Sequence, residues 1–313
     1  MQKRKLGSNG PELTAIGLGS WAIGGPWAWG WGQSDDEESI RTIQKAIDLG
    51  INWIDTAAVY GLGHSEEIVG QAIKGIRDKV YIATKCGLAW NSKKQFRNDL
   101  SVQNIRNEVE ASLKRLQVET IDLYQFHWPD KKVPVEKSWE VMVKLKKEGK
   151  IRWLGVSNFS VELLERCEKI HHIDSLQPQY NLFRRDIEKE ALPWCLANGV
   201  GVVAYSPMFS GMLTGSFDVT KLAGDDWRKK NVEYREPKLS ENMQRVEKLR
   251  PIAEKYGKTI GQLAVAWVLK HPAVTSAIVG ARRVTQVEEN LGSAGFSIAP
   301  EDIQTIEELF PVF

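Results

Sequence analysis

Four side chains capable of proton chemistry stand at or just beyond the ends of short apolar, β-branched runs. Asp55 closes the run Asn52–Asp55, Tyr60 follows it, Lys85 follows Val80–Thr84, and His127 follows Ile121–Phe126. A phenol titrates near pH ~10 when unperturbed, and a neighbouring ammonium lowers that value because positive charge favours the phenolate. A carboxylate beside the ammonium holds it in place. A tyrosine so placed is expected to act as a general acid or base near neutral pH. A neutral histidine can donate a hydrogen bond to a carbonyl oxygen and orient it. Together the four would protonate an oxyanion while something else attacks the carbonyl carbon. No Ser, Cys or metal-borne nucleophile stands beside them, so the attacker must be borrowed, and a hydride from a reduced nicotinamide fits.

The elements that must bring these groups together alternate along the chain. Strand candidates are Ala15–Gly19, Asn52–Asp55, Val80–Thr84, Ile121–Phe126, Ile151–Val156, Ser175–Pro178, Val200–Tyr205 and Thr275–Val279. Helices are expected between them. Ser34 and Glu37 have capping-box spacing ahead of Asp35–Asp48, and Ser101 opens a helix to Leu116. Val135–Glu148, Ser160–Ile170, Asp186–Asn198, Glu241–Tyr256 and Thr259–Lys270 follow, and Thr285 with Glu288 forms another capping-box spacing. Such alternation means parallel strands joined by crossover helices. Eight units in 313 residues favour a closed (β/α)8 TIM barrel over an open doubly wound sheet. Lys3–Leu13, with Ser8-Asn9-Gly10 at its centre, reads as an N-terminal β-hairpin. Met208–Leu239 is a long loop after strand 7, a length that usually carries function. Residues 1–313 are expected to form a single domain, with chemistry at the C-terminal rim of the barrel. The strand ends deliver Gly19-Ser20-Trp21, Asp55, Lys85, His127, Ser157-Asn158, Gln179, Tyr205-Ser206 and Gly280 with Arg282 and Arg283 to that rim.

Composition narrows the class further. Lys plus Arg is 42 and Asp plus Glu is 40, a formal net charge of +2 that gives no support to a nucleic-acid binder. No apolar run approaches the ~18 residues of a membrane span, and the N-terminal MQKRKLGSNG lacks the apolar core of a secretory signal. Cys86, Cys167 and Cys195 are few, odd in number and far apart, which fits a reducing, cytoplasmic setting and argues against a disulfide framework or a cysteine zinc site. Tryptophan is abundant, 12 residues, with Trp21, Trp27, Trp29 and Trp31 close together.

The chain resembles the aldo-keto reductases from the hairpin to its last helix. The matching segments are Gly17-Leu-Gly-Ser-Trp21, Trp53-Ile-Asp-Thr-Ala-Ala-Val-Tyr-Gly61 with Ser65-Glu66-Glu67, Ala83-Thr-Lys85, Ile121-Asp-Leu-Tyr-Gln-Phe-His127, Gly155-Val-Ser-Asn-Phe159, Gln179-Tyr-Asn181, Tyr205-Ser-Pro207 and Ile278-Val-Gly-Ala-Arg-Arg through Glu289-Asn290. The resemblance is nearest to the bacterial branch that includes general-stress and inositol-operon reductases. It implies NADPH-dependent reduction of small aldehydes or ketones, with Asp55, Tyr60, Lys85 and His127 as the catalytic tetrad. It also implies that Ser157, Asn158 and Gln179 hold the nicotinamide carboxamide, that Tyr205 stacks on the ring, and that Gly19, Ser20 and Trp21 lie near the ribose. Ser206, Pro207, Gly211 and Leu213 would belong to a pyrophosphate loop over Ser206–Gly215.

The phosphate end of an NADP(H) site has its own argument. A helix opened by Thr285 would turn its N-terminal amides toward Gly280–Arg283, and such a terminus attracts anions. Arg282 and Arg283 add charge for a 2′-phosphate. By resemblance Gly280, Arg282, Gln286, Glu289 and Asn290 form the adenosine pocket, although many relatives carry Lys at the position of Gly280 and Arg at that of Gln286.

Other signals are weaker. Tyr81 and Lys85 match the Tyr-x-x-x-Lys pair of short-chain dehydrogenases, but those enzymes need the pair on a helix, and this stretch reads as a strand. Gly61-x-Gly63 reads as a loop turn, His171-His172 as a solvated helix end and His64 as a surface helix start. Trp53, Trp153, Trp194 and Trp267 are expected in the core or an interface. Trp21, Trp90 and Trp128 follow strands on the active rim and are candidates for the substrate pocket, and Trp27, Trp29 and Trp31 either join them or pack a loop. A rival of another class is a cofactor-binding regulatory subunit like those of potassium channels, which keep the same tetrad.

Overall fold

Short β-branched runs form the staves of a closed barrel in the computed structural model, which describes residues 1–224 and 226–312. Asp225, inside the long loop expected over Met208–Leu239, and Phe313 lie outside the described residues. The barrel strands are β1 (Ile16–Gly19), β2 (Trp53–Asp55), β3 (Tyr81–Cys86), β4 (Ile121–Phe126), β5 (Ile151–Ser157), β6 (Ser175–Gln177), β7 (Gly201–Ala204) and β8 (Val274–Gly280). Each pairs in parallel with its sequence neighbours, and β8 closes on β1. This is the (β/α)8 TIM barrel expected from the alternation. Register aligns the C-terminal ends: Gly19 faces Gly280 on one side and Asp55 on the other, and Ser157 faces Gln177.

The expected hairpin pairs Lys3–Lys5 with Glu12–Thr14 and plugs the opposite end. Its Leu6 and Leu13 pack with Trp53, Ala83, Leu123, Val203 and Ile278 inside the barrel. Gly17 is required there, since a Cβ at that position would come within 2.1 Å of the Trp53 ring.

The surrounding helices are α1 (Asp36–Asp48), α2 (His64–Ala72), α3 (Val102–Leu116), α4 (Val135–Lys147), α5 (Val161–Glu168), α6 (Ala191–Asn198), α7 (Lys238–Glu247), α8 (Arg250–Lys255), α9 (Ile260–Leu269), α10 (Val284–Leu291) and α11 (Pro300–Leu309). Two start signals differ from the sequence reading. Asp35, not Ser34, caps α1, its Oδ1 accepting from the Glu38 amide at 2.9 Å, while Ser34 Oγ donates to Ile23 O. Thr285 lies inside α10, and Arg283 occupies the cap position without a side-chain cap bond. Two expected helices are each divided. Asp186–Asn198 splits into a 3₁₀ turn, Asp186–Glu188, and α6, whose first turn holds Pro193. Glu241–Tyr256 splits into α7 and α8 ahead of Pro251. Proline lacks the N–H of a helix interior and is tolerated only in a first turn. The long loop after β7 is built of short 3₁₀ turns, among them Phe209–Thr214 and Trp227–Lys230. A second hairpin, Leu88–Trp90 with Phe96–Asn98, rises from the end of β3 and was not anticipated. No helix among the described residues is long and apolar enough to cross a membrane.

Candidate active site

Asp55 ends β2, Lys85 lies near the end of β3, and His127 directly follows β4, with its amide bonded to Cys86 O at 2.9 Å. Tyr60 arrives on a 3₁₀ turn held by a tight backbone contact. Gly61 sits at φ 61°, and a Cβ there would strike Gly24 O at 1.9 Å, so only glycine lets the loops after β1 and β2 meet. The four side chains converge. Lys85 Nζ donates to Asp55 Oδ2 at 2.7 Å, Asp55 Oδ1 at 2.9 Å, Thr56 O at 2.9 Å and Tyr60 Oη at 3.2 Å. The Tyr60 and His127 rings meet edge to face at 5.8 Å.

Burial sets the electrostatics. It pushes the Asp55 carboxyl up and the Lys85 ammonium down, and the contact between the two opposes both shifts. Burial and then the nearby Lys85 charge hold His127 well below the usual imidazole range, so the ring is neutral. Tyr60 differs from the sequence expectation: burial first, and the Asp55 carboxylate second, hold its phenol well above the ordinary value. The lysine alone does not overcome desolvation, so Tyr60 holds its proton firmly.

Asp55, Tyr60 and His127 form the floor of a cleft of about 630 Å³, with Lys85 buried beneath them. Gly19, Trp21, Ser157, Asn158, Tyr205, Ser206, Pro207, Gly211, Gly280 and Gln286 line it together with Asp55, Tyr60 and His127. Asn158 adopts φ 61°, a conformation asparagine tolerates better than most residues. Its Nδ2 donates to His127 O and its Oδ1 accepts from Tyr205 Oη at 2.9 Å. The remaining expected residues stand elsewhere. Gln179 is outside the lining and bridges Tyr205 through its backbone. Gln177, two positions earlier, takes the interior place, its Nε2 donating to Asp55 Oδ1 at 2.8 Å. Ser20 is wholly buried and supports the site from behind, donating to Asp55 O at 3.0 Å. Leu213 is core. Asn290 Nδ2 holds Gly280 O at 3.2 Å, and Glu289 O accepts from Gln262. Arg282 donates to Trp31 O at 3.1 Å, with its amide bonded to Gln286 Oε1 in place of the expected threonine cap. Arg283 is exposed.

Trp21 stacks on Tyr60 at 5.9 Å, and Trp27, Trp29, Trp31 and Trp128 share the cleft wall. Trp90 does not. It packs against the cluster of Ala57, Val59 and Tyr60. Trp53 and Trp267 are core, as expected. Tyr81 sits at the other end of β3 from Lys85, in register with Trp53. His64 pairs with Asp36, and His172 with Glu168 instead of being simply solvated. The lining also includes Met208, Ser210 and Thr214 of the expected loop Ser206–Gly215, together with Gln177 and Arg228, neither of which the sequence singled out. For Gln177 a signal existed: Pro178 has no N–H to continue a ladder, so Gln177 had to be the last strand residue.

The cleft suits a dinucleotide on its own evidence. It runs from the tetrad past Tyr205 to Gly280 and Gln286, and the buried indole Nε1 atoms of Trp27 and Trp31 have no partner among the described residues. Comparison with known proteins agrees. The aldo/keto reductase family pattern matches residues 15–310. The aldo-keto reductase YhdN of Bacillus subtilis is 42% identical, covering 99% of this chain and 93% of its own. An NADH-specific methylglyoxal reductase of Escherichia coli is 36% identical, over 99% and 98%. The structure of the glycerol dehydrogenase AKR11B4 from Gluconobacter oxydans superposes with a TM-score of 0.89 at 40% identity, covering 98% of this chain and 94% of that one. Barrel, tetrad and sequence lead to one conclusion: the chain belongs to the aldo/keto reductase family, oxidoreductases that work with a nicotinamide cofactor.

Proposed function

We propose that the protein is a cytoplasmic NADPH-dependent reductase of small aldehydes and ketones, acting as one catalytic domain. The observation that carries this reading is the Lys85 ammonium, pinned by Asp55 and Thr56 O and reaching Tyr60 Oη at the floor of the cleft. NADPH, when bound, supplies a hydride to the carbonyl carbon. Tyr60 gives its proton to the developing alkoxide, and Lys85 stabilises the phenolate left behind. Neutral His127 donates a hydrogen bond to the carbonyl oxygen, orienting it without competing as an acid. Ser157, Asn158 and Gln177 hold the carboxamide, and Tyr205, tethered to Asn158, stacks on the nicotinamide ring. The tryptophan wall shields the reacting centre from water. Arg282 and Arg283 supply the charge for the 2′-phosphate.

The second reading, a cofactor-binding regulatory subunit, shares the tetrad. NADPH oxidation in the presence of 4-nitrobenzaldehyde separates the two. Steady multiple turnover is expected of the reductase. Tight NADPH binding with no turnover across aldehydes, ketones and sugars would favour the regulatory reading instead.

A further inference from the structure

The hairpin that rises from the end of β3 puts one carboxamide on the substrate side of the cleft. Leu88, three residues past Lys85, stands in register with Asn98, and both line the cleft. Three residues span at most about 11 Å, and the step across a strand pair adds about 5 Å. Asn98 is thus held close enough to the tetrad for a ring-sized substrate at Tyr60 to reach it. The hairpin is braced on two sides. Its Phe96 packs on Trp27 and Trp29 of the loop after β1, with ring centroids 6.3 and 4.8 Å apart. On the other side Asn98 Nδ2 donates to Pro129 O at 3.0 Å, and the Leu100 amide donates to Asp130 Oδ2 at 3.0 Å, both in the loop after β4 that bears Trp128. The first bond spends the donor end of the Asn98 amide, and its Oδ1 accepts no hydrogen bond among the described residues.

The wall built by the loops after β1, β3 and β4 is otherwise short of acceptors. Trp21, Trp27, Trp29, Leu88 and Trp128 line it, and an indole offers an N–H but no acceptor. Beyond the tetrad, Asn98 Oδ1 is the one side-chain acceptor on that wall among the described residues, and no Asp, Glu, Lys or Arg side chain joins it. Indole faces and edges favour an aromatic ring between them. A site with an unspent acceptor discriminates against an analogue that lacks the matching donor. Asn98 is exposed at the cleft mouth, so water competes and the discrimination is modest.

We propose that Asn98 is a specificity-determining residue: its Oδ1 accepts from a hydroxyl carried on the ring of an uncharged aromatic aldehyde whose carbonyl sits at Tyr60 and His127. The substrate class so favoured is the hydroxylated aryl carbonyls. This rests on the reading of the cleft as a carbonyl-reducing site.

The test measures kcat/KM at saturating NADPH for 3- and 4-hydroxybenzaldehyde and for the matching methoxybenzaldehydes, at a pH below the ionisation of the phenols. The methyl ether keeps the ring and its oxygen and removes the donor. The hydroxy-to-methoxy ratio is the readout, because a change that merely loosens the hairpin lowers both substrates together. For at least one isomer the wild-type ratio is expected to be roughly three- to tenfold higher than that of Asn98→Leu. Asn98→Asp loses the bond to Pro129 O but keeps an acceptor, so its ratio is expected to stay near wild type while both substrates fall together. Equal ratios in wild type and Asn98→Leu for both isomers would overturn the proposal. A ratio lost in Asn98→Asp as fully as in Asn98→Leu would assign the effect to the tether and overturn the acceptor role. Wild-type protein that reduces 4-nitrobenzaldehyde but none of these four would overturn the proposal alone. Wild-type protein that reduces no aldehyde would overturn the carbonyl-reducing reading first, and the proposal with it.

Discussion

Lys85 sets the geometry of the tetrad. An ammonium has three N–H donors, and here four oxygens lie within reach, with Tyr60 Oη the most distant at 3.2 Å. The contacts to Asp55 and Thr56 fix the cation, and the Tyr60 contact is the one that can tighten as negative charge develops on the phenol. Residue types and strand-end positions made this foursome legible in the sequence. The Tyr60 proton affinity was not legible, because desolvation depends on packing. The choice between Gln177 and Gln179 turned on where one strand stopped. Gln177→Ala is expected to weaken cofactor binding and loosen Asp55, cutting kcat/KM by about 10-fold or more, with Gln179→Ala near wild type. Steady-state kinetics on both variants check this, and the reverse order would restore Gln179 to the site. Cofactor choice also belongs at this scale. A charge-assisted hydrogen bond is worth about 1.5–3 kcal/mol. Arg283→Ala should therefore weaken NADPH by roughly 10–100-fold and leave NADH unchanged. Arg282→Ala should show the same NADPH loss with a smaller NADH loss, since it also frees Trp31 O. Fluorescence titration decides, and equal losses for both cofactors in both variants would remove the arginines from the phosphate site.

Elements were legible where periodicity and composition agreed. The barrel strands appeared within a residue or two of their expected ends, since parallel buried strands read as apolar β-branched runs. Ser101 and Thr259, where two of the expected helices open, are the residues that cap them. The capping-box rule misplaced the start of α1 because Ser34 and Asp35 both offer a capping oxygen, and tertiary contact drew Ser34 to Ile23 O. Replacing a functional N-cap by alanine costs about 1 kcal/mol. Asp35→Ala is expected to lower stability by that amount, while Ser34→Ala costs less, and chemical denaturation of the two variants measures the difference. The hairpin at Leu88–Trp90 escaped notice because its strands are short and Asn91–Lys94 gives no strong turn signal. It carries Trp90 onto the cluster of Ala57, Val59 and Tyr60, outside the cleft lining.

At the scale of the molecule, helices and barrel are coupled through buried charge. Glu108 of α3 accepts from the Gly87 amide at 2.5 Å, just past the end of the strand that carries Lys85. Burial raises its carboxyl from 4.5 to about 7. The folded state therefore binds more protons than the unfolded chain between those values, and stability falls as pH rises through that window. The contribution is fully present below the unfolded value and lost above the folded one, amounting to at most about 3 kcal/mol. Glu108→Gln keeps an acceptor for Gly87 and does not titrate. Its stability relative to wild type is expected to climb between pH 4.5 and pH 7, and denaturation across that range checks the slope. The barrel topology was legible because eight alternating units admit few closures. The path of the long loop and the seat of its Arg228 over the Trp31 ring were not, since the two are far apart in sequence and neither belongs to a periodic element.

The central claim is that Tyr60 delivers the proton in carbonyl reduction. Tyr60→Phe removes one hydroxyl and leaves the ring packed between Trp21 and His127. Single-turnover NADPH oxidation with 4-nitrobenzaldehyde isolates that step from cofactor release. The variant is expected to bind NADPH as wild type does while its hydride-transfer rate falls by roughly 10²–10⁴-fold. A near-wild-type rate would contradict the assignment and require another donor on the cleft floor.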